Sequence, residues 1–318
     1  MAENIPRSAG RAVETRAWTP SRRWFRRRTG RHDRYTLAPL LLISSNLALF
    51  LLFFVWPAAI GLGYSFTSYT GVGPAPFVGL DNYQRLLNDE AFYAALVRTL
   101  IFTAAVVPLT FVASLSTAVL LTSPYSRGKP VARVIFFVPW LISPIIAGVI
   151  WRWIFGENFG LVNYIITVLG GEAVSWQSNA NLSLAVVVIA AAWGGTAFNM
   201  LMFVAAIKNV PTAYYEAASL DGAGSWAKFR HITLPSIAPT SFIVILLSTL
   251  GSMKEYALIQ AVNGGGPGSE NNLLIQYIFT TGFQRAQVGY ASAASFVLML
   301  VLMVIAVAQL VINRRKES

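Results

Sequence analysis

The chain has 318 residues, of which 55% are hydrophobic and 12% charged, with a formal net charge of +11 and no cysteine. So little polar surface cannot clothe a water-soluble globule, which puts the protein in a membrane and excludes disulfides and thiolate metal sites. The excess charge is not a nucleic-acid footprint, because ten of the 24 lysines and arginines crowd into residues 1–34, directly before an apolar run, where they read as an orientation signal and a contact for anionic lipid.

Residues 1–34 form a basic cytoplasmic tail, disordered or lying on the membrane surface. Within it, Ser21-Arg22-Arg23-Trp24-Phe25 looks like a twin-arginine export signal, but the apolar run after it is too long for a signal segment and has no clear small-residue cleavage site. That run is therefore a retained first span. Stretches free of charge then locate helices near 37–65, 95–122, 131–153, 182–207, 236–262 and 288–312. Each stretch can hold the roughly 18–25 helical residues that a hydrocarbon core of about 30 Å requires. Helices are required because lipid offers no partner to an unpaired backbone group. The expected fold is all-α, with six transmembrane helices in a domain spanning 35–313 and a short cytoplasmic tail at 314–318.

Lysine and arginine placement orients these spans. Beside the N-terminal ten stand Arg127, Lys129 and Arg133, then Lys208, Lys228 and Arg230, then Arg314, Arg315 and Lys316, all falling on one side and leaving Arg85, Arg98, Arg152, Lys254 and Arg285 for the other. The positive-inside rule then puts both termini and the loop at 208–235 in the cytoplasm. On the outer side, Phe77-Val78-Gly79-Leu80-Asp81-Asn82-Tyr83 reads as a turn entering a short interfacial helix, and Gly264-Gly265-Gly266-Pro267-Gly268 comes after the fifth span. The glycine run is no phosphate loop, because it is not succeeded by Gly-Lys-Ser/Thr, and no G-x-x-x-x-G-K-[ST] occurs anywhere in the chain. His32 and His231 are too far apart in sequence to suggest a metal-ligand pair.

The cytoplasmic loop carries the most specific pattern. Pro211 ends the preceding apolar run, and Thr212 is placed to cap a short helix through Tyr214, Tyr215, Glu216, Ala217 and Ala218. Asp221-Gly222 with Gly224 makes a turn, Ser225 is placed to cap a second short helix through Phe229, Ile232 and Leu234, and Pro235 suits the first turn of the next helix. This E-A-A…D-G-A…F…I-x-L-P run resembles, without a gap, the signature loop of ABC importer permeases. Further segments narrow the resemblance to the carbohydrate type, the maltose and glycerol-phosphate permeases: residues 77–83, Trp193-Gly194-Gly195 to Asn199-Met200, Asn263 to Pro267, and Gly289-Tyr290-Ala291-Ser292-Ala293. The resemblance covers residues 37–312 and leaves out the basic tail.

The resemblance implies a type I importer fold in a bacterial plasma membrane and a chain that is not an enzyme. It further implies a second homologous permease, two ATP-binding subunits holding ATP and Mg²⁺, and an extracytoplasmic solute-binding protein. Glu216, Ala217, Ala218, Asp221, Gly222 and Ala223 would couple to the ATPase, although the three alanines also serve simply as helix formers. Two groups are candidates for the solute pathway. Ser252, Lys254 and Glu255, in the outer part of the fifth helix, read as polar sugar contacts or, for the charged pair, as residues snorkelling to the interface. Trp193, Gly194, Gly195 and Asn199 read as a stacking face with a hydrogen-bonding amide, or as helix–helix packing. Trp140, Trp151 and Trp153 read as packing or aromatic-belt residues. A permease for another polyhydroxylated solute such as glycerol phosphate, and an ATP-independent secondary transporter, are the rival readings. The first would be marked by more lysine or arginine at membrane depth, the second by inverted repeats with broken helices.

Overall fold

The computed structural model describes residues 37–123 and 128–317, so the basic tail of 1–34 and Arg127 lie outside the described residues. The described chain is helical, and its only β pairing is an isolated bridge between Thr67 and Phe77. By internal contacts it divides into two units, one ending at Trp56 and the other starting at Pro57. The first unit holds α1 (Leu37–Phe50) and a π-helical turn (Leu51–Val55), apolar but for Ser44, Ser45 and Asn46.

The second unit begins inside α2 (Trp56–Ser65) and goes on to α3 (Asp81–Leu87), the latter entered through Gly79 at φ +60°. Asn82 ties the two helices together by donating to the carbonyls of Ser65 and Thr67, each at 2.8 Å. Two long helices come next with true side-chain caps. Asp89 accepts from the Ala91 and Phe92 N–H groups at the head of α4 (Glu90–Thr122). Asn179 accepts from Asn181 and Leu182 at the head of α8 (Ala180–Lys208). Each cap satisfies amide groups that the first turn leaves free, and each starts its helix earlier than hydropathy alone placed it.

Between them the chain makes α5 (Lys129–Leu141), α6 (Pro144–Ile154) and the short α7 (Leu161–Val168). Here the structure corrects the continuous helix expected over 131–153, since α5 and α6 meet at 101°. Pro144 is the cause: its ring disfavours the helical region for the residue before it, and Ser143 accordingly sits at ψ 139°, with Ile142 extended too.

After α8 come α9 (Thr212–Leu220), α10 (Ser225–Lys228), a π-helical turn (Phe229–Thr233) and α11 (Leu234–Ser236). The last three form one arm, Ser225–Ser236, bent by 68° from α12 (Ala238–Ser252). The helix expected over 236–262 also stops early. It ends at Ser252, and α13 (Ala257–Val262) is separate, so Lys254 and Glu255 lie in a break and not on a helix. Then come α14 (Leu274–Phe279), a π-helical turn (Thr280–Gln284) and α15 (Val288–Glu317), which continues as helix through the basic residues 314–316.

Among the described residues four helices are long and apolar enough to cross a membrane, and up to six if each bent pair counts as one span. The core joins α4 to α8 along their length. Phe102 and Val106 meet Val187 and Ala190 near one end, with Leu258 and Ile259 of α13 closing over them. Leu115, Ala118 and Leu121 meet Met200, Phe203, Ile237 and Val244 toward the other. Some hydroxyl groups at this depth are satisfied within their own helices, as Thr117 and Thr122 are by carbonyls four residues back.

Candidate functional site

The loop between α8 and α12 is built as one hydrogen-bonded piece. At the end of α9 the Ala223 N–H donates to Ala218 O at 2.8 Å and the Gly222 N–H to Ser219 O at 3.1 Å. This is the paired-bond helix ending that needs a left-handed residue, and Gly222 supplies it at φ +76°. Lys228 Nζ then donates to Ser219 Oγ at 2.6 Å, and the Tyr215 and Thr233 hydroxyls lie 2.9 Å apart, binding α9 to the arm that leads into α12. The caps expected of Thr212 and Ser225 are absent: both are first helical residues, preceded by Pro211 and Gly224, and neither makes a side-chain cap. Glu216, Ala217, Asp221 and Gly222 are exposed, and Ala218 and Ala223 are half-buried. Around them Leu220 is 90% exposed and Trp226 70%, an apolar display on an otherwise polar loop.

The helices at the two ends of this loop line the same cavity. It has a volume of about 600 Å³ and is walled by α4, the α5–α6 bend, α8 and the end of α12. Gly194 lies midway along α8, about 21 Å of helix rise from either end. Six of the seven pathway candidates border the cavity: Trp193, Gly194, Gly195, Asn199, Ser252 and Glu255. Lys254 does not; it is exposed within the break. Glu255 is half-buried, and its Oε1 accepts from the Leu258 N–H at 3.0 Å, starting α13. Asn199 Nδ2 donates to Ser248 Oγ at 3.1 Å, and Ser252 Oγ lies 3.1 Å from Thr103 Oγ1.

Sequence reasoning missed several lining residues. Trp140 borders the cavity and stacks on Phe198 at 4.9 Å, and Trp151 meets Trp193 edge-on at 5.9 Å. The signal for Trp140 was its place beside Pro139, just before a proline-enforced bend. Thr110 also lines the cavity, only 2% exposed, and its hydroxyl is buried with no hydrogen-bond partner among the described residues. Its signal was faint, a threonine two residues after Pro108, which interrupts the bonding of α4.

Beyond the cavity, at the head of α4, Asp89 gathers the ends of four helices. Tyr277 and Tyr290 donate their hydroxyls to Oδ2 at 2.6 and 2.7 Å, while Arg85 lies 4.1 Å over the Tyr290 ring. Burial pushes the Asp89 carboxyl up, but these two bonds and the Phe92 and Ala91 amides together outweigh it and hold the group below its ordinary value. Burial, with the neighbouring carboxylate, raises Tyr277. Among the described residues no three histidine, aspartate or glutamate side chains are grouped to hold a metal.

A helical membrane protein in which two cavity-lining helices are joined by an exposed helix–glycine–helix loop is built as a transport protein. The comparisons with known proteins say which kind: the chain belongs to the binding-protein-dependent transport system inner membrane component family, whose model matches residues 87–318. It is 32% identical over 282 residues to the sn-glycerol-3-phosphate transport system permease protein UgpA of Yersinia pestis bv. Antiqua (strain Antiqua), covering 87% of this chain and 94% of that one. It is 34% identical over 278 residues to the arabinooligosaccharides transport system permease protein AraP of Bacillus subtilis (strain 168), covering 86% and 87%. In fold it matches a chain of a bacterial ABC transporter that imports the acidic polysaccharide alginate, with a TM-score of 0.79 at 24% identity over 89% of this chain and 96% of that one. Its relatives are permease subunits, and like them it is a transport component and not an enzyme.

Proposed function

We propose that the chain is the membrane-spanning half of an ATP-driven sugar importer, and that the loop at Glu216–Ala223 passes the motion of a separate ATPase to the cavity. The observation that carries this reading is that the loop's two ends feed directly into α8 and α12, which supply Trp193, Gly194, Gly195 and Asn199 on one side and Ser252 on the other. A rigid displacement of the loop is transmitted to both walls at once. Exposed Leu220 and Trp226 give the ATPase an apolar hold beside Glu216.

In this reading each bent pair counts as one span, giving six, with both termini and the loop in the cytoplasm of a bacterial inner membrane. A second homologous permease completes the pathway, two ATP-binding subunits bind ATP and Mg²⁺, and an extracytoplasmic binding protein delivers the solute. The cavity suits a sugar, with tryptophan rings for C–H faces and Asn199, Ser248 and Ser252 for hydroxyls. Glycerol phosphate is the second reading, favoured by the likeness to UgpA. Against it, no lysine or arginine among the described residues lines the cavity, while the carboxylate Glu255 does.

The test is Glu216→Lys and Gly222→Val in the complete importer, reconstituted with its partner chains. Both variants should insert normally, yet lose solute uptake and solute-stimulated ATP hydrolysis by more than about tenfold, the effect of losing about 1.4 kcal/mol of docking free energy. Uptake at the parental rate in both would sink the coupling role.

A further inference from the structure

Between α6 and α8 the chain builds a small folded loop, residues 155–179, that the transport reading does not use. Its centre is Asn163, 4% exposed. Asn163 Nδ2 donates to the carbonyls of Glu157 and Val174, each at 2.9 Å, and its Oδ1 accepts from the Val174 N–H at 3.1 Å and from Trp176 Nε1 at 2.9 Å. Glu157 closes the base, accepting from the Ser178 and Gln177 N–H groups at 2.6 and 2.8 Å and from the Ser178 hydroxyl at 2.8 Å. Trp176 meets Phe155 edge-on at 5.1 Å. Gly170, at φ +85°, ends α7 with the same paired-bond closure seen after α9. The loop is therefore tied together by its own polar bonds, with those of Asn163 turned inward.

What α7 presents outward is apolar. Leu161, Tyr164, Ile165 and Val168 recur at helical spacing on one face and are 48–67% exposed, and the next residue, Leu169, is 81% exposed. Residues 158–171 contain no charged side chain. The one hydroxyl on the exposed side besides Tyr164, that of Thr167, is already bonded to the Asn163 and Tyr164 carbonyls. An apolar face held in this way and left open to water would carry a standing cost.

We infer that α7 lies in the membrane interface, with Leu161, Ile165 and Val168 seated among acyl chains and the Tyr164 ring at headgroup level. Lipid is favoured over a protein partner by continuity. Helix α6, which packs against α7 and leads into it, exposes Ile146, Val149, Ile150 and Trp153, so the apolar surface of a bent membrane segment runs on into the α7 face. The leaflet is the one away from Glu216, because α7 precedes the start of α8 and the Glu216 loop comes after its end. Tyrosine beside aliphatic residues is the usual make-up of such an anchor, and the absence of charge suits neutral as well as anionic lipid. The anchor would hold the outer end of α8 at a fixed depth while its other end moves with the loop.

The chain contains no cysteine, so a single introduced thiol can be labelled without removing any native one. Ile165→Cys, Val168→Cys and, as an aqueous reference, Glu172→Cys are spin-labelled in the complete importer in lipid nanodiscs, with the partner chains made cysteine-free. Collision with oxygen is compared with collision with a water-soluble nickel chelate. The labels at 165 and 168 should favour oxygen over nickel by about tenfold relative to the label at 172, with or without the binding protein. Nickel access at 165 and 168 equal to that at 172 overturns the inference. So does protection that appears only when solute-loaded binding protein is added, which would make the face a protein dock.

Discussion

At Gly222 the backbone needs a left-handed conformation that costs a residue bearing a Cβ about 1–2 kcal/mol. Nothing lies within 4 Å of where a Cβ would sit, so the demand on this residue is conformational and not steric. That separates it from Gly265, which has a positive φ and whose Cβ would also strike Asn272 Oδ1. Asp89 is the other position where one side chain decides much. Its folded carboxyl is held below the ordinary aspartate value, so its contribution to stability is fully present above that value and is lost as pH falls through the lowered one. Asn at this position does not titrate. The drop in unfolding midpoint between pH 7 and pH 3, measured by thermal denaturation in detergent, should therefore be smaller in Asp89→Asn than in the parent. An equal drop in both would remove Asp89 from the acid response. The Gly222 turn was legible in the sequence, but the role of Asp89 was not, since there it is one carboxylate in a polar gap; its partners Tyr277 and Tyr290 stand 188 and 201 residues away along the chain.

At the scale of elements, hydropathy located the apolar segments well and their breaks not at all. A window that averages side chains cannot see a backbone that turns, so the stretches 131–153 and 236–262 read as straight spans. The signs were local. Pro144 constrains Ser143, and a charged pair at Lys254–Glu255 interrupts an apolar run at the point where the helix in fact ends. The break matters for packing, because α13 can then lie against α6 so closely that a Cβ on Gly148 would come 2.5 Å from Ala261 Cβ and 2.9 Å from Leu258 O. Gly251, which lines the cavity, has nothing within 4 Å of its Cβ position. Gly148→Leu should therefore separate α6 from α13 and cost roughly 1–3 kcal/mol, as overpacking does. Gly251→Ala should leave stability within about 0.5 kcal/mol while narrowing the cavity. Denaturation midpoints of the two variants, set beside their uptake rates, decide the matter. A Gly148→Leu protein as stable as the parent would mean that the α6–α13 contact is loose.

Across the whole molecule, apolar surface is distributed very unevenly among the long helices. In their most apolar windows α4 and α8 bury 39% and 44% of their residues inside the chain, whereas α15 buries 6%. Met303, Val304, Val307, Val311 and Ile312 line a shallow apolar groove along α15. The pattern of charges had already placed α15 in the membrane, but a single sequence cannot separate a face that meets lipid from one that meets another helix, because both are apolar. Gln309 marks the side of α15 that faces the chain's own interior. Its Nε2 donates to Thr249 Oγ1 at 3.0 Å, yet its Oε1 is buried without a partner among the described residues. An amide oxygen left bare at that depth is costly, which limits how stable the chain is alone. Met303, Val304 and Val307, on the open side of α15, are 53–64% exposed, an apolar surface that a second permease would cover. Tagged protein drawn from its native membrane in mild detergent should therefore bring with it a second permease and an ATPase, identified by mass spectrometry. Gly222→Val should retain the permease and lose the ATPase, since only the loop is disturbed. A clean preparation without either chain, still moving solute in liposomes, would mean that the cavity works without the loop and that the chain is a free-standing transporter.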